Sequence, residues 1–392
     1  MWFCGVLMSM SAFSIDITLP FFLSIATDLE TPLSVLPLTV TVFLFSLGLA
    51  QLFFGVISDA VGRRYSLIFG LCLFIAGTLL AMTANSFAVL LLARAIQGAG
   101  ASAAYSLSRS ILRDLSSGAE LAKHMAIAAA IFAIGPLLAP LLGGLLILND
   151  LGWRWVFVSM TIYSFVLLSF CVILLPETNR YQDVIALKPK TIYLRIQTVL
   201  GNRQSRWFML VHAVCQTSMI LIVATMAPLY EISFGIRGLA FALFFAVHTV
   251  GILLGQLLNQ RLIDRFGPLY TAMIATGFMI TAGALVTVAG LTGTASPWLV
   301  SGLVTLFAVG YLSAAANTTA LVMMPHGTIA GFTAAIHGAL TLLFAALASS
   351  LIGHKVQADV TSWGFALTVL ALLTLLLMSI WAKQQKTVTL AS

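Results

Sequence analysis

Twelve apolar runs, each about as long as a membrane-spanning helix, follow one another along this chain, and that repetition decides what it can fold into. A spanning helix needs ~20 mostly apolar residues. The runs lie at about 2–25, 35–57, 66–86, 88–111, 122–147, 153–176, 206–230, 239–262, 269–291, 296–321, 328–352 and 361–382. Of the 392 residues 60% are hydrophobic and 8% charged, and the mean hydropathy is +1.07. A soluble domain carries about 25% charged residues, so no soluble core could hide this much apolar surface. The expected fold class is an all-α integral membrane protein.

The segments between runs are short, with one exception. Residues 176–206, "PETNRYQDVIALKPKTIYLRIQTVLGNRQSR", form the long polar stretch between runs six and seven. They divide the chain into an N-terminal six-helix bundle (1–176), a basic linker (177–205) and a C-terminal six-helix bundle (206–392). Cytoplasmic loops carry the excess of Lys and Arg. With the N-terminus inside, Arg63, Arg64, Arg109, Arg113, Lys123, Arg180, Lys188, Lys190, Arg195, Arg203, Arg206, Arg261, Arg265, Lys383 and Lys386 fall on the cytoplasmic side. Arg154, Arg237 and Lys355 fall on the other, and Arg94 lies within a run. Both termini are therefore expected inside. The net charge of +7 reads as this topology signal rather than as a nucleic-acid surface. Cys4, Cys72, Cys171 and Cys215 sit in apolar runs without metal-ligand spacing and are expected as packing residues, with no metal site. No basic stretch or small-residue cleavage site opens the chain, so a removed signal peptide is not expected, and a start further upstream stays open.

The two halves repeat each other. "LAQLFFGVISDAVG" (49–62) and "LGQLLNQRLIDRFG" (254–267) align with Leu49, Gln51, Leu52, Asp59 and Gly62 over Leu254, Gln256, Leu257, Asp264 and Gly267. Parallel repeats around a site near the bilayer midplane are a transporter architecture. Asp16 and Arg94 stand out as charges deep within runs, where a charge costs at least ~2.5–3.5 kcal/mol and normally faces a cavity or a partner. Two readings stay open: a permanent ion pair that fixes two helices, or a carboxylate that binds and releases a proton. Gln97, Gln216, Thr217, His248, Asn317 and His337 are polar residues inside runs. With apolar Met8, Phe13, Phe45 and Met219 they are candidates to line a cavity for a greasy substrate, and for each polar one a helix–helix hydrogen bond is the alternative. Glu177, at the end of run six, reads as a solvated boundary residue. There is no H-E-x-x-H motif, nucleophile elbow or P-loop, so an enzyme or an ATP-driven pump is not expected, and the linker is too short for a signalling domain.

Several motifs, in order, resemble the major facilitator superfamily. "GVISDAVGRR" (Gly55, Asp59, Gly62, Arg63, Arg64) resembles its signature after the second helix, and "LLARAIQGAGASA" (Arg94, Gln97, Gly98, Gly100) its fourth-helix signature. "IGPLLAPLLGG" (Gly135, Pro136, Pro140, Gly143, Gly144) is similar to the fifth-helix signature of the proton-antiporter branch, and "DITLP" (Asp16, Leu19, Pro20) to a first-helix pattern of drug exporters. "NTTALVMMPHGTIAG" (Asn317, Pro325, His326, Gly331) resembles the bicyclomycin/chloramphenicol-resistance (Bcr/CflA) subfamily. Met8 stands where several multidrug relatives carry a second acid, and Gln260 and Pro268 replace a Gly and an Arg in the second copy of the loop signature.

The resemblance implies twelve helices in two pseudo-symmetric bundles and proton-coupled efflux of small amphipathic molecules across a bacterial inner membrane, driven by the proton motive force without a cofactor. Asp16 and Arg94 are then the proton-coupling pair. Gly55, Asp59, Gly62, Arg63, Arg64 and Asp264 form a conformational latch, with the arginines at the anionic leaflet. The fifth-helix Gly and Pro residues form an antileak element on one face, against which simple packing is the plainer account. The absent second acid at position 8 shifts the expected cargo toward neutral or anionic molecules, phenicol-type drugs first and an endogenous metabolite or carboxylate siderophore second. Proton symport for uptake is the mechanistic rival. The expected partners are substrate, protons and membrane lipids, with a monomeric chain.

Overall fold

A computed structural model describes residues 2–179 and 189–391; Arg180 and Lys188 of the topology argument lie outside them. The helices are α1 (Trp2–Asp16), α2 (Phe22–Asp28), α3 (Pro37–Val61), α4 (Arg63–Met82), α5 (Phe87–Leu115), α6 (Gly118–Leu148) and α7 (Arg154–Leu174). They continue with α8 (Pro189–Gly201), α9 (Arg203–Phe234), α10 (Gly238–Leu291), α11 (Pro297–Met323), α12 (Ala330–Val356) and α13 (Val360–Ala391). No strand occurs among the described residues. In a bilayer this follows from backbone hydrogen bonding, since every N–H and C=O must find its partner within the protein.

Among the described residues eleven helical segments are long and apolar enough to cross a membrane, with α1 and α2 together forming one of them (Trp2–Asp28). α10 is a special case. At 54 residues it would be ~80 Å long, against a hydrocarbon core of ~30 Å. Gly267, with φ 69° and ψ 172°, interrupts it and separates two spans, so the twelve apolar runs become twelve crossings.

By proximity along the fold the chain divides into two compact units. One comprises Met1–Thr198, Arg237–Leu243 and Ile329–Leu343; the other comprises Val199–Ile236, Phe244–Thr328 and Phe344–Ser392. Each contains the same helix crossing. In the first unit the Ser46 hydroxyl of α3 donates to the Ala95 carbonyl of α5 at 2.6 Å. In the second, Gly251 of α10 lies directly on the Thr305 carbonyl of α11. The offsets are 205 (46 to 251) and 210 (95 to 305). They recur at the next crossing. Gly100 packs on the Gly70 carbonyl and the Phe74 nitrogen, and Gly310 on the Ala275 carbonyl and the Met279 backbone. The turn glycines correspond as well, Gly62 at φ 108° and Gly267 at φ 69°. Both turns need a conformation that a side chain disfavours. Where lipid tails are as apolar as Leu, helices associate through such close contacts, and the duplicated glycines place them at equivalent heights.

The cysteines are free, with Cys4, Cys171 and Cys215 buried. Cys72 departs from the packing expectation, because its face of α4 is exposed.

Candidate functional site

The first span is broken at the residue that the sequence singles out. Pro20 has no N–H and its ring crowds the carbonyl four residues back, and that carbonyl belongs to Asp16. α1 therefore ends at Asp16, a short 3-10 turn runs over Leu19–Phe21, and helix resumes at Phe22. The turn tightens before the proline: the Thr18 N–H donates to the Ile15 carbonyl at 3.2 Å rather than to Ser14. The Ser14 carbonyl, so released, is taken by Arg94 Nη1 at 3.1 Å.

Arg94, on α5, is 1% exposed. Its Nη1 also donates to Gln97 Oε1 at 3.1 Å and its Nε to the Thr39 carbonyl at 3.4 Å. The guanidinium lies 4.5 Å from the centroid of the Phe43 ring, which suits a cation on an aromatic face. Gly98, one turn along α5, packs on the Phe43 carbonyl, where a Cβ would collide. Arg94 thus ties α5 to the frayed end of α1 and to α3. Asp16 is 4% exposed, and no hydrogen bond or ion pair joins its carboxylate to Arg94 or to any other described residue. In this conformation the two charges share the break in span one without forming the ion pair.

α6 supports the break. A Cβ on Gly143 would stand 2.6 Å from the Ile17 carbonyl and 3.3 Å from the Pro20 ring, and one on Gly135 would stand 3.1 Å from the Ser9 side chain. Gly135 admits α1 and Gly143 the break that follows it, whereas Gly144 faces Leu239 at the start of α10. The expected single face is therefore split between two neighbours. α6 stays helical through Pro136 and Pro140.

The loop signature forms a second polar cluster. Gly62 separates α3 from α4 and is packed against the Glu177 carboxylate. Arg63 donates from Nη1 to Asp59 Oδ1 at 2.6 Å and to Ser58 Oγ at 2.6 Å, and from Nε to Asp114 Oδ2 at 3.0 Å. It is 8% exposed, so its expected place at the lipid headgroups is corrected to an internal one. Arg64 reaches the Val172 carbonyl at 2.5 Å. Asp264, in the second copy, is exposed on α10, and no counterpart of this network forms there among the described residues. α3 also meets the first turns of α12: Gly48 lies on the Ala339 carbonyl and Gly55 beside Ala335.

Glu177 corrects the sequence reading. Rather than a solvated boundary residue, it accepts from the backbone N–H of Arg63 at 2.9 Å, of Arg64 at 3.1 Å and of Asn179 at 2.9 Å. The Asn179 amide donates to the Asp59 carbonyl at 3.0 Å, and the Thr178 hydroxyl to Asp114 at 3.4 Å. The "ETN" tripeptide after run six thus caps the start of α4 and the end of α3 together. Glu177→Ala removes these bonds and is expected to cost about 2 kcal/mol, read as a lowered thermal unfolding midpoint in detergent, with Glu177→Gln intermediate. An unchanged midpoint for Glu177→Ala would remove the capping role.

The other cavity candidates divide. Gln97 is fully buried and donates to the Thr78 hydroxyl at 2.9 Å while accepting from Arg94. Asn317 is 1% exposed and donates to Asn259 Oδ1 and to the Ser313 carbonyl, joining α11 to α10. Thr217 is fully buried and bonds back to the Ala213 carbonyl at 2.8 Å. These three make protein–protein bonds. His248 is buried beside Phe245, His337 is buried on α12, and Met8 is buried on α1. Phe13 packs on Tyr163 with ring centroids 5.3 Å apart. Gln216 and Met219 are half-buried on α9, and Phe45 is exposed on α3. Sequence reasoning missed His212, which joins α9 to α11 through the Thr318 hydroxyl at 2.9 Å and holds Gln216 Oε1 at 2.8 Å. Its only signal was a polar residue one turn before Gln216.

Comparison with known proteins agrees with this architecture. Residues 1–346 match the family model described as Major Facilitator Superfamily. The chain is 29% identical over 353 residues to the MFS-type transporter YdgK of Bacillus subtilis, covering 89% of this chain and 87% of that protein. It is 27% identical to multidrug resistance protein D of Escherichia coli (92% and 90% covered) and 26% identical to a chloramphenicol resistance protein of Pseudomonas aeruginosa (88% and 79% covered). Among solved structures, a D-xylose–proton symporter superposes with a TM-score of 0.77 at 17% identity, covering 95% of each chain. The human organic anion transporter MFSD10 superposes with a TM-score of 0.69 at 21% identity, covering 96% of this chain and 97% of that one. At these identities the structural likeness speaks for the fold. Together with the family match it makes the chain a multi-pass membrane transporter and not an enzyme, a member of the Major Facilitator Superfamily.

Proposed function

We propose that the chain is a proton-coupled exporter of small amphipathic molecules in a bacterial inner membrane, with both termini cytoplasmic. The observation that carries this reading is the carboxyl of Asp16, buried at a proline break in span one without an ionic or hydrogen-bonding partner among the described residues. A discontinuous helix at membrane depth is where transporters of this architecture place their sites. Proton binding removes the charge of Asp16 and release restores it. Arg94, anchored on the Ser14 and Thr39 carbonyls, keeps a fixed positive charge at the same break. Relatives named for multidrug, chloramphenicol and bicyclomycin resistance support drug-like cargo. Met8, in place of a second acid, favours neutral or anionic cargo over lipophilic cations.

One proton moving down ~100 mV supplies about 2.3 kcal/mol, and a tenfold solute gradient costs about 1.4 kcal/mol, so one-for-one antiport suffices for export. The test uses proteoliposomes with an imposed pH gradient and a trapped pH probe, challenged with phenicols, lipophilic cations and carboxylate metabolites. Substrate-dependent dissipation of the gradient by the phenicols supports the reading, and a response confined to carboxylate metabolites moves the cargo to an endogenous compound. Uptake in the same direction as the proton overturns antiport in favour of symport.

A further inference from the structure

We infer that the end of the second unit where α9 begins and α13 finishes is a binding site for the headgroup of an anionic phospholipid. α9 and α13 each have 32 residues, ~48 Å of helix against a hydrocarbon core of ~30 Å. Their outer turns must stand at headgroup level. On the first turn of α9, Arg203, Arg206 and Trp207 recur at the three- and four-residue spacing that puts them on one face. Arg203 and Arg206 are exposed, and the Arg206 guanidinium makes no hydrogen bond or ion pair with a described residue.

α13 supplies the opposite wall. Trp381 stacks on Trp207 with ring centroids 6.3 Å apart and an interplanar angle of 29°. The indole N–H of Trp207 donates to the Leu377 carbonyl at 3.0 Å. Arg203 lies 5.9 Å from the Trp381 ring centroid and donates from Nη2 to Gln384 Oε1 at 2.7 Å. Lys383, exposed, belongs to the same turn of α13.

Two chemistries meet here. Trp207 and Trp381 stack where the two helices reach headgroup level, and tryptophan is a side chain that marks the membrane–water boundary. The Arg203 guanidinium lies over the Trp381 ring and Arg206 is exposed on the same face of α9; the planar fork of a guanidinium matches a phosphate. Neither helix offers a competing side-chain carboxylate here, since residues 189–230 and 360–392 contain no Asp or Glu. A soluble cargo does not require the tryptophan pair, and a zwitterionic lipid does not reward the two guanidinium groups. An anionic phospholipid uses both.

The experiment places the full chain in phosphatidylcholine vesicles containing a small fraction of lipid with brominated acyl chains, carried either on phosphatidylglycerol or on phosphatidylcholine. The signal is the part of the tryptophan fluorescence lost in the Trp207→Phe/Trp381→Phe double variant. Each basic residue at the surface strengthens anionic-lipid association about fivefold. Brominated phosphatidylglycerol is therefore expected to quench at a much lower fraction than brominated phosphatidylcholine, with the difference shrinking in high salt. Arg203→Gln/Arg206→Gln is expected to lose up to about 25-fold of that preference, and Arg203→Lys/Arg206→Lys, which keeps the charge, to retain most of it. Equal quenching by the two lipids overturns the site, as does a preference indifferent to the glutamine variant. Displacement of the brominated lipid by millimolar inorganic phosphate overturns it too, by making the site one for a free anion. None of these readings depends on transport, so they stand or fall apart from the export mechanism.

Discussion

Asp16→Asn is expected to abolish coupling while sparing the fold. Asparagine has nearly the shape of aspartate and takes up no proton in this range. Because Asp16 has no hydrogen bond or ion pair to lose among the described residues, the thermal unfolding midpoint should hold or rise. At ~100 mV one coupled proton sustains a solute gradient of about 50-fold. The variant should bring accumulation in inverted vesicles down to the equilibrium ratio of one. Substrate exchange in the absence of a gradient needs no net proton movement and should persist. That split separates a coupling residue from a structural one. If Asp16→Asn still dissipates an imposed pH gradient with substrate, the proton travels elsewhere and Asp16 is a packing residue of span one.

Most of the fold was legible in the sequence, because membrane depth leaves the backbone so few choices. Apolar run length gave the spans, including the two that Gly267 separates within one helical stretch. The 205-residue repeat around Gln51 and Gln256 reappears as equivalent glycine crossings. The site was legible only as residue types. Composition marks Asp16 and Arg94 as expensive, yet it cannot say whether they touch. That depended on the tightened turn ahead of Pro20, where the Thr18 N–H goes to the Ile15 carbonyl and leaves the Ser14 carbonyl to Arg94. Glu177 was misread for a related reason. Two of its three partners are backbone N–H groups more than 110 residues away, and no side-chain pattern records where a helix N-terminus will lie. Gln97 and Asn317 look from sequence like any polar residue facing a cavity, and only their neighbours Thr78 and Asn259 show that they join helices.

Pro20→Ala tests whether the break itself is functional. Alanine is favoured over proline in a helix interior by about 3 kcal/mol, and it restores the N–H that the Asp16 carbonyl lacks. Helix can then run from α1 into α2, and the Thr18 N–H can return from Ile15 to the Ser14 carbonyl. Arg94 would lose its acceptor there and keep only Gln97 and the Thr39 carbonyl, with Asp16 held in a regular turn. The expected result is an unfolding midpoint equal to or above that of the parent and transport at least about tenfold slower, since discontinuous helices are where such carriers bind and release. A lowered midpoint would show that tertiary packing, with Gly143 against the Ile17 carbonyl, enforces the break without the proline. Parental transport from a chain whose midpoint has risen would detach the break from the transport cycle and leave Asp16 to act from an ordinary helix.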